Sequence, residues 1–353
     1  MKTLALDPHD FAPGDALGRI LAHDVEIGGR PALRKGLVVG PDDLERLREG
    51  ARETGKLHVL ALEPGDLPEE EAGRRLATAV AGEGVVVKGP VEGRFNLVAD
   101  ARGVLRLDAA ALQALNELED VSIFGLYDGQ VAQPDDVLAG VKVTPLVARE
   151  EHIRAAEEIA RAAGSGVVRV LAFRPTRVGV VIREALSDRE RERVVARLRD
   201  KIAWFGSEVV DVAQVPDDAA AVADAFRRQL DAGARLILAT GGSALDPLDA
   251  MLQGLDRIGA RMEKFGAPAH PGSLFWLAYA GDAPIFGVAS CGMFSKATAV
   301  DLLLPPVFAG EHLDKRQIAA LGQGGLLNKQ MAFKFPPYDG PSKEDNRSRA
   351  AER

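Results

Sequence analysis

The stretch ARLILATGGSALDPLD, residues 234–249, decides how the second half of this chain is expected to fold. Leu236 to Ala239 is an apolar run of strand length, Gly241 and Gly242 break it, and a helix-start pattern extends to Asp249. Glycines let a backbone approach a ligand closely, and the amides of a helix N-terminus favour an anion such as phosphate. A Gly-Gly pair in such a turn also has a purely steric explanation, so this stretch alone leaves both explanations open.

Apolar strands and amphipathic helices alternate upstream of this stretch. Strands are predicted at 178–182 and 209–215, and helices at 187–205 and 217–232, the first opened by a capping box at Ser187 and Glu190. This alternation is typical of right-handed βαβ units and a parallel sheet, whose ligands bind beyond the carboxyl ends of the strands. The segment from Thr240 to Asp249 is therefore predicted to lie at the binding edge.

A second turn of small residues lies further along the chain. A helix at 247–258 and strands at 274–279 and 284–289 lead to the turn SCGMFSK at 290–296, and the next helix is predicted to end near Pro305 and Pro306. The lysine that ends this turn suits an anionic ligand, but a solvated lysine at a helix start explains it equally well.

The rest of the chain suggests separate regions. Residues 1–148 read as a strand-rich α+β domain with strands at 16–25 and 33–39 and a helix at 68–80, and residues 149–166 as a connector helix. The α/β domain is predicted to occupy residues 167–312. A C-terminal extension follows at 313–353, and its last part is expected to be disordered.

Composition excludes several classes of function. A hydrophobic content of 46% in 353 residues gives enough core for two domains, and a net charge of −8 without a basic block argues against nucleic acid. No run of 18 apolar residues indicates a membrane span, and the first residues do not read as a signal peptide, so a cytoplasmic protein is expected. One cysteine excludes an internal disulfide, and the six histidines lack metal-ligand spacing, so no metal ligand is predicted.

Three segments together resemble a known family. Residues 237–249, 265–274 and 284–296 are similar, in order and spacing, to the molybdopterin-binding domain of molybdenum-cofactor biosynthesis proteins, which include molybdopterin adenylyltransferase and molybdopterin molybdenumtransferase. Residues 18–25, 33–36 and 318–327 also resemble a bacterial branch in which this domain is alone or fused to a cofactor nucleotidyltransferase. The resemblance implies a Rossmann-like parallel-sheet domain that binds molybdopterin or molybdenum cofactor.

The resemblance also implies which residues bind the ligand. It assigns the terminal phosphate to the first loop, further contacts to the loops at 271–273 and 290–296, and cofactor chemistry to Asp249. The ligand-binding residues implied in this way are Thr240, Gly241, Gly242, Ser243, Asp246, Pro271, Gly272, Ser273, Ser290, Cys291, Gly292 and Lys296. Two segments depart from the family pattern: Val288-Ala289-Ser290 replaces Leu-Pro-Gly, and Arg183-Glu184-Ala185 replaces an acidic motif of the active branches.

Three functions are compatible with these observations. The loss of the acidic motif at 183–185 favours a protein that binds the cofactor and acts in its maturation or delivery to a molybdenum hydroxylase. The alternatives are an active molybdopterin molybdenumtransferase or adenylyltransferase that uses Mg²⁺ with Asp249, and a degenerate interaction module. The resemblance further implies a homodimer, with a molybdenum hydroxylase or a cofactor nucleotidyltransferase as the protein partner.

Overall fold

The computed structural model describes residues 1–241, 246–288 and 297–338. The chain forms two compact units. The first comprises residues 1–100, 106–128 and 134–169, and the second comprises 101–105, 129–133 and the chain from residue 170 onward.

Short strands and helices make up the described chain. The strands are β1 (Lys2–Leu6), β2 (Ile20–Leu21), β3 (Val25–Ile27), β4 (Arg30–Leu33), β5 (Leu57–Ala61), β6 (Asp66–Pro68), β7 (Val85–Val91), β8 (Arg94–Ala99), β9 (Gly103–Leu107), β10 (Val121–Gly125), β11 (Val131–Ala132), β12 (Val137–Val143), β13 (Val147–Arg149), β14 (Val168–Ala172), β15 (Arg177–Ile182), β16 (Glu208–Gln214), β17 (Leu236–Thr240), β18 (Arg261–Phe265), β19 (Trp276–Ala280) and β20 (Ala283–Val288). The α-helices are α1 (Pro13–Ala16), α2 (Leu44–Thr54), α3 (Glu69–Val80), α4 (Ala109–Asn116), α5 (Glu150–Ala162), α6 (Asp188–Trp204), α7 (Ala219–Asp231), α8 (Ala250–Arg257), α9 (Ala299–Phe308) and α10 (Lys315–Ala320), and 3₁₀-helices lie at Pro41–Asp43 and Lys329–Lys334.

The first unit is rich in strands, as its sequence predicts. Its sheets are antiparallel, with the strand orders β1–β5–β2, β10–β12–β8–β7, β3–β4 and β13–β6. The helix α5 lies within this unit, where Arg75 of α3 donates hydrogen bonds of 2.8 and 3.0 Å to the two carboxylate oxygens of Glu157.

The long strands predicted at 16–25 and 33–39 are wrong, because glycines in left-handed conformations interrupt both segments. Gly18 has a φ of +72° and Gly36 a φ of +84°, which extended backbone does not allow. Only the short strands β2, β3 and β4 form there.

A six-stranded sheet in the order β16–β15–β17–β20–β19–β18 organises the second unit. The first four strands pair in parallel, which confirms the predicted parallel sheet, while β19 and β18 add to its edge in antiparallel orientation. The antiparallel step follows from the tight turn at Gly281, which joins β19 to β20 as a hairpin.

Helices cover both faces of this sheet. Val180, Leu238 and Phe286 point to the face that packs against α6 and α9, whereas their strand neighbours Val181 and Ile237 point to the face that packs against α7 and α8. The near-continuous apolar strands of the sequence are therefore buried on both sides, as in other doubly wound α/β sheets.

Two helix boundaries differ from the prediction. The helix expected from residue 247 begins at Ala250, because Asp249 adopts an extended conformation and caps it. The helix expected to end near Pro305 continues to Phe308. Each proline removes its own amide donor, but Ala309 N still bonds to Pro305 O at 3.0 Å, and Leu304 and Phe308 are buried in the core.

No helix in the described ranges is long and apolar enough to cross a membrane. The last part of the C-terminal extension, for which disorder is predicted, lies outside the described residues.

Candidate ligand site at the sheet edge

Three neighbouring parallel strands end side by side in the second unit. Ile182 at the end of β15 pairs with Thr240 at the end of β17, and Thr240 pairs with Val288 at the end of β20. The segments that follow these strands therefore leave from one edge of the sheet. In open α/β sheets ligands bind at this carboxyl edge.

Gly241 continues the backbone beyond β17 in a conformation that favours glycine. Its φ is +92°, and a Cβ atom on it would lie 2.6 Å from the backbone nitrogen of Glu184. Both the positive φ and the close approach exclude a larger residue without a shift of the chain. The steric explanation, one of the two that the sequence leaves open, therefore holds for Gly241, while Gly242 lies outside the described residues.

Glu184 and Thr240 connect the ends of β15 and β17 through their side chains. The Thr240 hydroxyl donates to Glu184 Oε2 at 2.9 Å, and Thr240 is fully buried. The backbone carbonyl of Glu184 accepts from Gln214 Nε2 at 3.3 Å. The segment 183–185, which departs from the family's acidic motif, is thus fixed against the glycine turn.

Arg183 places a positive charge at this edge. Its Nη2 donates to Asp249 Oδ2 at 2.9 Å and to the backbone carbonyl of Gly241, while Nη1 contacts Asp217 Oδ1 at 2.5 Å. The Arg183 side chain is 13% exposed and that of Asp249 4%, whereas Asp217 is largely in solvent at 71%. The Nε atom of Arg183 is buried and has no hydrogen-bond partner among the described residues.

Asp249 also has a structural task at the start of α8. Its Oδ1 accepts a 2.9 Å hydrogen bond from Met251 N and so caps the helix. This carboxylate therefore takes the position at the helix N-terminus where the sequence predicts an anionic ligand. The glycine turn and the helix are therefore not contiguous.

The loop 266–273 lies against the start of α9. Ala299 N donates to Pro271 O at 3.1 Å, and a Cβ on Gly272, whose φ is +107°, would lie 2.8 Å from Ala299 N. In the sequence, α9 follows the third predicted loop, which lies outside the described residues. Within the loop 266–273, Ala267 N donates to Ser273 O at 3.1 Å.

The structure places the predicted site residues unevenly. Thr240, Gly241 and Asp249 come together at one edge, and Pro271 and Gly272 meet the N-terminus of α9. The Asp246 carboxylate is engaged in its own turn, where it accepts from Leu248 N at 2.9 Å. The Ser273 carbonyl accepts from Ala267 N within the loop 266–273. The remaining predicted residues lie outside the described part of the chain: Gly242, Ser243, Ser290, Cys291, Gly292 and Lys296.

Arg183 and Asp217 were not predicted as residues of this site. Both follow the carboxyl end of a predicted strand, and this position was a usable signal for each. Among the described residues, no three His, Cys, Asp or Glu side chains are grouped so that they could hold a metal ion.

Comparison with known proteins agrees with the resemblance seen in the sequence. Residues 178–309 match the family described as "Probable molybdopterin binding domain", and residues 12–63 match a domain of unknown function. No match was found among curated proteins.

Several solved structures are similar to this chain. The molybdopterin biosynthesis MoeA protein from Pyrococcus horikosii is 13% identical, with 69% of this chain and 79% of that chain covered and a TM-score of 0.31. The protein CinA from Thermoplasma acidophilum is 15% identical, with 32% and 88% covered and a TM-score of 0.27. A structure of MogA is 19% identical, with 38% and 92% covered and a TM-score of 0.24. Residues 178–309 thus form a probable molybdopterin-binding domain, similar to the one found in molybdenum-cofactor biosynthesis proteins.

Proposed function

We propose that this protein binds molybdopterin, or the molybdenum cofactor made from it, at the carboxyl edge of its six-stranded sheet, and acts in maturation or delivery of the cofactor to a molybdenum hydroxylase. The terminal phosphate of the pterin would rest on the turn that begins at Thr240 and Gly241. The loops after β20 and at 266–273 would hold the rest of the ligand.

The described residues fit an anionic group at this edge. Gly241 leaves the turn without a side chain of its own, because a Cβ atom there would lie 2.6 Å from both Glu184 N and Glu184 Oε2. Arg183 supplies a guanidinium with one buried N–H that lacks a partner among the described residues. A buried donor without a partner is costly, so a bound anion that accepts from it would be stabilising.

The ion pair of Asp249 with Arg183 is the observation that favours a carrier over a transferase. An aspartate that holds Mg²⁺ must present free oxygen lone pairs to the ion. Here Oδ1 accepts from Met251 N and Oδ2 from Arg183, and the guanidinium charge beside Oδ2 repels a second cation. This arrangement favours a protein that holds the cofactor over a Mg²⁺-dependent molybdopterin molybdenumtransferase or adenylyltransferase.

The binding proposal is tested by purifying the protein from cells that make the cofactor and measuring pterin fluorescence after oxidation. Thr240→Val removes the hydroxyl at the proposed site, and Thr176→Val removes the hydroxyl that donates to Arg174 O at 2.9 Å before the opposite end of β15. We expect pterin in the wild-type protein and in Thr176→Val. In Thr240→Val we expect about tenfold less, because the hydrogen bond that fixes Glu184 beside the glycine turn is lost. A wild-type protein without pterin would overturn the proposal.

The transferase alternative is tested with adenylated molybdopterin, Mg²⁺ and molybdate. A carrier retains the pterin and releases no AMP. AMP release by the wild-type protein that disappears in Asp249→Asn would replace the carrier by an enzyme. Co-purification with a molybdenum hydroxylase would identify the recipient of the cofactor.

A further inference from the structure

A buried ion pair lies under the start of α9. Lys201 Nζ of α6 is 2.7 Å from Asp301 Oδ1, and the two side chains are 7% and 0% exposed. Burying two charges is costly unless further hydrogen bonds satisfy them, and apolar side chains of similar volume often replace such a pair without loss of stability. Its presence therefore suggests a role beyond stability.

The Asp301 carboxylate uses both oxygens fully. Oδ2 accepts from the backbone N of Thr298 at 2.8 Å and from its hydroxyl at 2.9 Å, while Oδ1 accepts from Lys201 and from the Tyr338 hydroxyl at 2.9 Å. A carboxylate has about four acceptor sites, so this one is saturated. Thr298 is the residue that precedes α9, so Asp301 fixes the start of this helix.

The same point supports the loop 266–273. Ala299, between Thr298 and Asp301, donates its amide to Pro271 O and contacts Gly272. A shift at the start of α9 must therefore move this loop as well. The loop 266–273 therefore depends on the position that Asp301 sets.

The C-terminal strap, residues 322–338, reaches both parts of this arrangement. Its Gly325 O accepts from His270 N at 2.7 Å, and its Leu327 N donates to His270 O at 2.8 Å, so the strap binds the loop 266–273 next to Pro271. Tyr338 ends the described part of the strap and reaches Asp301. Burial raises the pKa of Tyr338 well above its usual value, with Asp301 acting in the same direction, so its hydroxyl stays a donor.

We propose that Tyr338 is a positioning residue of the ligand site: through Asp301, the docked C-terminal strap holds α9 and the loop 266–273 in the arrangement that binds the cofactor. The inference rests on the proposed function, because it concerns the same site. It adds that ligand retention depends on a segment that does not need to touch the ligand.

Tyr338→Phe is the variant that tests this inference. It removes the hydroxyl from Asp301 and keeps the ring that packs edge-on against Trp204, with a centroid distance of 5.8 Å, so the protein is expected to fold. Tyr279→Phe is the matched control. It removes another buried hydroxyl of the same unit, one that bonds to Leu313 N and O at 3.0 Å and makes no hydrogen bond to Asp301.

Two measurements are made on both variants: amide hydrogen exchange of the segments 266–275 and 297–303, and retained pterin per protein. In Tyr338→Phe we expect about tenfold faster exchange in both segments and a similar loss of pterin, as for the loss of one hydrogen bond to a charged group. Tyr279→Phe should lower the Tm by a comparable amount and leave both readouts near wild type.

Equal exchange in the two variants would overturn the inference whatever the pterin result. Faster exchange with unchanged pterin retention would overturn it as well, because the loops would then move without consequence for the ligand. A wild-type protein that retains no pterin would overturn the proposed function, and the exchange comparison would still decide whether Tyr338 positions α9.

Discussion

Arg183 Nη2 lies 2.9 Å from Asp249 Oδ2, and this contact joins the end of β15 to the start of α8. The pair places a fixed positive charge beside the carboxylate for which the sequence implies cofactor chemistry. It explains how the chain tolerates Arg183-Glu184-Ala185 in place of an acidic motif, since the arginine has its own partner in the fold.

Arg183→Gln is expected to destabilise the protein by about 3 kcal/mol, because it leaves the buried Asp249 carboxylate without its cation. Denaturant unfolding followed by circular dichroism measures the change. Asp217→Asn is the control: Asp217 contacts the same guanidinium but is 71% exposed, so its loss should cost less than about 1 kcal/mol. Equal losses of stability in the two variants would show that the buried pair with Asp249 contributes no more than the exposed contact with Asp217.

Asp249→Asn separates the two tasks of this side chain. Asparagine keeps an oxygen that can cap α8 but loses the charge opposite Arg183, so we expect a loss of about 1.5–2 kcal/mol. Asp249→Ala loses the cap as well and should cost about 1 kcal/mol more. Thermal unfolding of both variants provides the comparison. If Asp249→Asn has the same stability as the wild type, Asp249 serves only as a cap.

Gly241→Ala should be more harmful than alanine at another glycine with positive φ. Gly241 combines a φ of +92° with a Cβ position 2.6 Å from Glu184 N, while Gly259 has a φ of +69° and open space around its Cβ position. We expect Gly259→Ala to lower the free energy of unfolding by about 1 kcal/mol. Gly241→Ala should lower it by about 2 kcal/mol or more, because a strained backbone and a steric overlap add. Denaturant midpoints report the difference, and similar midpoints would contradict the close packing at Gly241.

Acid should remove the contribution that Glu157 makes to the stability of the first unit. The hydrogen bond from Arg75 lowers the pKa of Glu157 below its usual value of 4.5. A lowered pKa means that the stabilisation is present above the unfolded-state pKa and is lost as the pH falls through the folded-state pKa. At pH 7, Glu157→Gln should therefore cost about 1 kcal/mol, and the difference from wild type should shrink below pH 4.5.

Glu158→Gln, one residue along the exposed face of α5, should match the wild type throughout this pH range. Stability curves from urea unfolding at several pH values give the comparison. If Glu157→Gln still lowers the stability at pH 3, packing of the side chain, not its charge, links α5 to α3.

The sequence by itself determined the features that depend on local periodicity and local conformation. The apolar run 178–182 and the capping box of Ser187 and Glu190 predicted β15 and α6, because strand alternation and helix capping involve residues close in the chain. The turn at Gly241 was likewise predictable, because the glycine directly follows a strand pattern. These signals were enough to locate the carboxyl edge of a parallel sheet and its first loop.

Only the tertiary structure decided which charges meet at that edge. Arg183 and Asp249 are 66 residues apart, and Lys201 and Asp301 are 100 residues apart, so no local pattern specifies either pair. The sheet brings Arg183 to Asp249 by placing β15 beside β17, and packing of α6 and α9 on one face brings Lys201 to Asp301. Such contacts depend on strand order and helix packing, which are set by burial of the whole domain's apolar surface and not by neighbours in sequence.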